Sequence, residues 1–220
     1  MIFGKIDFIN LLPFHIFIKK NIRSTQTKAI IQYKKSYPAY INNKFRHKEI
    51  DAAFISSIAS RNKKKLDLGI VAKKEVLSVL IIPGENQEDY QSETSNALAK
   101  VLNLQGRVLI GDKALKYYHE HLDKNFIDLA KAWQDKYKLP FVFAVLCVNK
   151  YEKELQHLIG KFDKQKIKIP QYILKQYALR SGISTKNIVK YLTHIDYTLG
   201  IKEKKALKLF FKLIKEKGIQ

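Results

Sequence analysis

The sequence predicts an α/β fold of two lobes, with two strands crossing between them and helices at the C-terminus. Three observations predict it. Residues 2–60 alternate short apolar strands with capped helical segments, a rhythm that gives a parallel sheet with right-handed crossovers. Two apolar strands, at 76–82 and 139–148, bracket a middle segment that has its own strand–helix alternation. After Asn149 the chain reads as helices only.

Residues 2–9 read as a strand that leads through Asn10-Leu11-Leu12-Pro13 into a helix over 13–20, where proline suits the first turn. Residues 29–33 read as a second strand. Ser36 is placed to cap a helix running to Phe45, with Pro38 in its first turn. Residues 50–55 form a third short apolar strand, and Ser56-Ser57 then caps a further helix. The run 76–82 ends at the break Pro83-Gly84 and a polar loop. Ser92, Thr94 and Ser95 precede the helical pattern of Ala97, Leu98, Val101 and Leu102. Residues 107–110 are a strand, and Gly111-Asp112 opens a helix. Residues 126–137 are amphipathic, and 139–148 is the longest apolar strand.

Helices are expected at 151–159, 170–180, 184–199 and 202–217. In the last, Leu207, Phe210, Phe211 and Ile214 form a docking stripe opposite a lysine face. The larger α/β lobe then comprises residues 1–82 and 147–220, and the smaller comprises 83–146. Two crossings make a hinge, and hinged lobes close around ligands.

The chain of 220 residues is 46% hydrophobic and 28% charged, which is globular rather than disordered. The single cysteine, Cys147, excludes an internal disulfide, and its apolar strand marks it as an inert buried thiol. No Cys/His cluster has metal-ligand spacing, so no metal site is expected, and no Gly-rich phosphate loop is present. The longest apolar run is about half of what a membrane span needs. Lys5 and Asp7 interrupt the apolar N-terminus, which makes a poor signal peptide. A cytoplasmic protein without a membrane partner is the expectation. A net charge of +21 attracts anions in general. The lysines are dispersed and no RNA-binding motif accompanies them, so a solvated surface is expected rather than a nucleic-acid site. Oligomeric state is not written in the sequence.

Four polar clusters stand at strand-to-helix junctions, the edge of an open parallel sheet where ligands bind. They are Asn10, Ser56-Ser57, Ser92-Glu93-Thr94-Ser95 and Gly111-Asp112. The Ser92–Ser95 turn combines hydroxyls with the free N–H groups of a helix start, which suits an anion. Each of these residues has helix capping open to it as a plainer role. Ser78 differs, because it lies inside an apolar strand and a buried hydroxyl needs a partner. It either satisfies a backbone group or lines the cleft at the hinge. No nucleophile–base pair stands out.

Several segments occur in a telling order. They are Phe8-Ile9-Asn10-Leu11-Leu12-Pro13, Asp51-Ala52-Ala53 with Ile55-Ser56-Ser57, Val76-Leu77-Ser78-Val79, Ser92-Glu93-Thr94-Ser95, Leu109-Ile110-Gly111-Asp112-Lys113-Ala114-Leu115, Asp128-Leu129 with Trp133, and the strand from Leu139. Together they resemble the chorismate dehydratase family of the futalosine route to menaquinone. The resemblance implies a periplasmic-binding-protein-like (type II) fold used as an enzyme. It implies a hydro-lyase that removes water from chorismate, a cyclic dianion, to give 3-[(1-carboxyvinyl)oxy]benzoate without a cofactor. Asn10 and Ser78 match the family's reacting site, and Ser56, Thr94, Ser95 and Asp112 match its cleft. The base is then either the enolpyruvyl carboxylate of the substrate or Asp112. A non-catalytic binding protein for a small carboxylate is the competing expectation.

Overall fold

The computed structural model describes residues 1–21, 32–123 and 125–219. In chain order its strands are β1 (Ile2–Lys5), β2 (Gln32–Lys35), β3 (Ala52–Ser56), β4 (Lys65–Ala72), β5 (Val79–Ile82), β6 (Arg107–Ile110), β7 (Ile127–Asp128), β8 (Phe141–Val148) and β9 (Asp196–Thr198). Its helices are α1 (Leu12–Asn21), α2 (Pro38–Arg46), α3 (Glu93–Leu102), α4 (Gly111–Glu120), α5 (Leu129–Tyr137), α6 (Glu152–Ile159), α7 (Gln171–Ser181), α8 (Thr185–Thr193) and α9 (Ile201–Glu216).

Two sheets organise these elements. The larger has the order β2-β1-β3-β8-β4-β9 and the smaller β6-β5-β7. The N-terminal alternation gives what it predicts, since β1 pairs in parallel with both β2 and β3. Beyond β3 the large sheet turns antiparallel, because β8 runs against β3 and β4, and β9 against β4. It is therefore mixed rather than parallel. All pairing in the small sheet is antiparallel, with β5 in the centre.

The structure corrects several local expectations. No helix follows Ser56-Ser57; the chain turns and enters β4. Leu66, Leu68 and Ile70 alternate at the two-residue period of a strand, a pattern the helical reading passed over. Ser36 does not cap α2. Its N–H continues the ladder to the Lys5 carbonyl at 3.1 Å, and Tyr37 occupies the cap position with Pro38 at the helix start. The expected helix over 184–199 ends at Thr193, because Ile195, Tyr197 and Leu199 are buried at a period of two around the short strand β9, Asp196–Thr198. The expected strand at 29–33 overlaps β2 at 32–33, and residues 29–31 lie outside the described residues.

The chain passes between the sheets through residues 73–78 and again through 138–140. Strand β5 pairs only within the small sheet and β8 only within the large one, so both begin just after the crossings. Helix α9 then packs on β8 and on α3, spanning both halves. Its stripe is a docking face as expected: Phe210 meets Phe141 edge-on at 5.0 Å and Trp133 at 6.0 Å. Cys147 is fully buried, and burial pushes its thiol up to about 12.

Candidate functional site

Where the two sheets face each other, a cavity of about 70 Å³ lies at the strand ends. Asn10, Phe54, Ser56 and Phe143 reach it from the large sheet and the segment after β1. Ser78 enters from the first crossing, and Ser92, Ser95 and Gly111 from the small lobe. Among the described residues, no acidic, basic or thiol side chain lines it. Three helices begin at it: α2 at Pro38, α3 beside Ser92 and Ser95, and α4 at Gly111. The first N–H groups of a helix have no intrahelical acceptor, and they carry the positive end of its dipole. The walls thus carry partial positive charge without a cation.

The crossing delivers Ser78 with little freedom. Leu77 adopts φ +61°, a left-handed conformation costly for a leucine. Asp128 pins it there. Its Oδ2 accepts from the Val76 and Leu77 N–H groups at 2.9 and 2.7 Å, while its Oδ1 caps α5 through Ala130 and Lys131. Ser78 is 2% exposed, and its Oγ lies 2.8 Å from the Tyr191 hydroxyl. The Gly111 N–H donates to the Ser78 carbonyl at 2.8 Å. Gly111 itself has φ +64°, and a Cβ there would sit 2.9 Å from the Phe8 ring, so only glycine fits the wall.

Asn10 is the middle residue of a single 3-10 turn, Ile9–Leu11. Its carbonyl accepts from the Tyr197 hydroxyl at 2.5 Å. Its side-chain Oδ1 is buried with no hydrogen-bond partner. An unpartnered acceptor at a cavity wall fits a ligand donor, because such a group is costly to leave unmade. Ser56 is held by Asn42, whose amide nitrogen donates to Ser56 Oγ at 2.7 Å and whose oxygen accepts from the Ser56 N–H at 3.1 Å. Ser92 caps α3, and its Oγ donates to Ser95 Oγ at 2.8 Å.

Three of the residues singled out in the sequence do not line the cavity. Ser57 is fully buried and donates to the Val142 carbonyl at 2.5 Å, joining the β3 turn to β8. Thr94 Oγ1 accepts from the Ile58 N–H at 3.1 Å and ties the small lobe to the large one. Asp112 accepts from the Ile9 N–H at 3.0 Å and from Arg180 at 2.9 Å, with one carboxylate oxygen for each. Burial raises its pKa, and those two partners only partly offset this. Sequence reasoning missed Asn42, Tyr191 and Tyr197. Asn42 lies on the buried face of α2, and a buried amide is the signal that it holds something. The two tyrosines lie in the stretch 184–199, which the sequence presents as one helix.

A larger groove, about 1030 Å³, lies elsewhere against Lys73, Lys164, His194 and Asp196. Several of its charged groups are already engaged. Lys73 pairs with Asp196 at 2.5 Å, His194 with Glu75 at 3.4 Å, and Lys164 donates to the Leu192 and Ile195 carbonyls.

A cleft at strand ends, between two α/β lobes joined by two connections, defines a two-lobed fold of the periplasmic-binding-protein type. Solved structures agree on the fold. A protein of Archaeoglobus fulgidus superposes with a TM-score of 0.70 at 12% identity, covering 100% of this chain and 98% of that one. The periplasmic aliphatic sulphonate binding protein SsuA of Escherichia coli gives 0.60 at 14% identity, covering 100% and 92%. The sequence is more specific than the fold. Residues 90–216 match a menaquinone biosynthesis family. A chorismate dehydratase of Campylobacter jejuni is 50% identical over 220 residues, covering 98% of each chain. The chain belongs to the chorismate dehydratase family of menaquinone biosynthesis.

Proposed function

We propose that this protein is a hydro-lyase that converts chorismate into 3-[(1-carboxyvinyl)oxy]benzoate and water. The observation that carries the reading is a cavity with an orphaned Asn10 acceptor, the Ser78 hydroxyl and three helix starts, but no titratable wall, in a chain 50% identical to a chorismate dehydratase. The reaction removes a ring proton beside the enolpyruvyl ether and expels the neighbouring hydroxyl as water. Aromatisation drives it, so positioning and charge stabilisation are what the protein must add. Asn10 and Ser78 hold the reacting edge of the ring. Ser92, Ser95 and the start of α3 receive a carboxylate, while Ser56, fixed by Asn42, supplies a further polar contact on the opposite wall.

With no base on the walls, the enolpyruvyl carboxylate of the substrate takes the proton. A cation paired to that carboxylate would lower its pKa and blunt it as a base, so the neutral lining suits substrate-assisted chemistry. Asp112 is the weaker candidate, because both its oxygens are engaged away from the cavity. The cavity is smaller than a cyclic dicarboxylate, so the lobes part at residues 73–78 and 138–140 to admit it. On this reading residues 1–78 and 141–220 form the larger lobe and 79–140 the smaller. The enzyme works in the cytoplasm without a metal, organic cofactor, nucleic acid or membrane partner.

Incubation with chorismate, followed by chromatography of the products, tests the proposal. Formation of the carboxyvinyloxy-benzoate supports it. Tight binding of chorismate without conversion would establish the alternative, a carboxylate-binding protein.

A further inference from the structure

Behind the cavity wall, one buried polar group holds Ser78, a residue assigned to the reacting site. Tyr191 on α8 is 2% exposed and does not itself line the cavity. Its hydroxyl lies 2.8 Å from Ser78 Oγ. The phenol is the more acidic of the two hydroxyls and therefore the better donor, which makes Ser78 Oγ its acceptor. Ser78 then accepts from Tyr191 and keeps its own proton, for which no protein acceptor exists among the described residues. Burial holds the phenol well above its ordinary range, so it remains a donor across the working pH range. A second phenol secures the same region, since Tyr197 on β9 holds the Asn10 carbonyl.

We infer that Tyr191 is a positioning residue of the dehydration site, acting through Ser78; this rests on the functional reading above. Its hydroxyl fixes the direction of the Ser78 hydroxyl. The site then presents two opposite functions to the cavity, a Ser78 proton to donate and an Asn10 oxygen to accept. As the ring C–O bond breaks, the Ser78 O–H meets the negative charge gathering on the departing oxygen. Without the phenol hydroxyl, the Ser78 hydroxyl loses its one protein partner among the described residues and rotates freely. Ring packing alone does not call for that hydroxyl, because the aromatic ring of a phenylalanine would fill the same space.

The test is steady-state turnover of chorismate by the full chain as wild type, Tyr191→Phe, Ser78→Ala and the double variant. Tyr191→Phe is expected to lower kcat by about 10- to 100-fold with KM changed less than about threefold. Its melting temperature should stay within about 5 °C of wild type. On the Ser78→Ala background, the same change should cost less than about threefold, because the group through which Tyr191 acts is gone. A Tyr191→Phe kcat within about twofold of wild type overturns the inference and leaves the function standing. So does a loss that multiplies fully onto Ser78→Ala. A fall in melting temperature beyond about 10 °C assigns Tyr191 to the core and likewise overturns it. A wild type that makes no product overturns this inference and the functional reading together.

Discussion

The cavity and the ionic cluster beside it both lie where the two lobes meet, yet they are built from different materials. The cavity is bounded by an amide, hydroxyls, apolar rings and helix starts. The cluster gathers Asp7, Asp112, Arg180, Lys35 and Tyr177, with Arg180 bridging Asp7 at 2.7 Å and Asp112 at 2.9 Å. The chain runs from Asp7 in one to Asn10 in the other, and the Asp112 carboxylate grips the Ile9 N–H between them. Charge is placed where it ties a helix of the small lobe to the large one, at a rim where partly hydrated pairs cost little to form. The dry interior is left neutral, because an unpaired charge there is costly. An acidic residue at a strand end is therefore a poor guide to catalysis in this molecule.

The largest test of that contrast is truncation of each partner. Ser78→Ala and Asn10→Ala should each lower kcat by about 10²- to 10³-fold, as loss of an oriented donor or acceptor in a preorganised site does. Thermal melts should show both variants folded. Asp112→Asn should do the opposite, keeping turnover within about fivefold. It should cost only about 1 kcal/mol, since burial already disfavours the carboxylate it removes. An Asp112→Asn protein that folds normally and has lost activity by more than about 100-fold would make Asp112 the base and erase the contrast.

Acid should affect the cluster before the cavity. Burial alone would raise the Asp7 pKa, but hydrogen bonds from Lys35 and Tyr177, with the charges of Lys5 and Arg180, hold it well below the ordinary value of 3.8. A carboxyl depressed on folding contributes stability that is complete above its unfolded pKa and is lost as pH falls through the folded one. Denaturant melts should therefore show stability declining below about pH 4. Asp7→Asn should flatten that decline, and an unaltered acid limb would discount the cluster.

The smallest effect concerns salt. The net charge of +21 steers a dianion toward the protein, but no cation awaits it in the cavity. Raising ionic strength should lower kcat/KM by less than about tenfold and leave kcat unchanged. A fall in kcat itself would reveal a cation that approaches the bound substrate.

Local chemistry made much of this legible. The parallel β2-β1-β3 core, the Ser92 cap, the helix that starts at Gly111 and the docking stripe of α9 follow from alternation, capping and helical spacing, which act between near neighbours in the chain. Asn10, Ser56, Ser78, Ser92, Ser95 and Gly111 could be picked out because they interrupt apolar runs at strand ends. Partnership could not be read the same way. Ser57, Thr94 and Asp112 looked equivalent to the others, and only the folded chain shows their polar atoms already taken by Val142, Ile58, Ile9 and Arg180.

The sequence by itself determined the strand and helix segments as far as β3, a bilobal α/β class and the family to which those segments belong, because each rests on short-range pattern. The tertiary structure alone decided the antiparallel entry of β8, the strand character of β9 and the convergence of Tyr191 and Tyr197 on Asn10 and Ser78. Those contacts join residues more than a hundred positions apart. Whether two such groups meet is set by how whole sheets pack, and no local propensity encodes that.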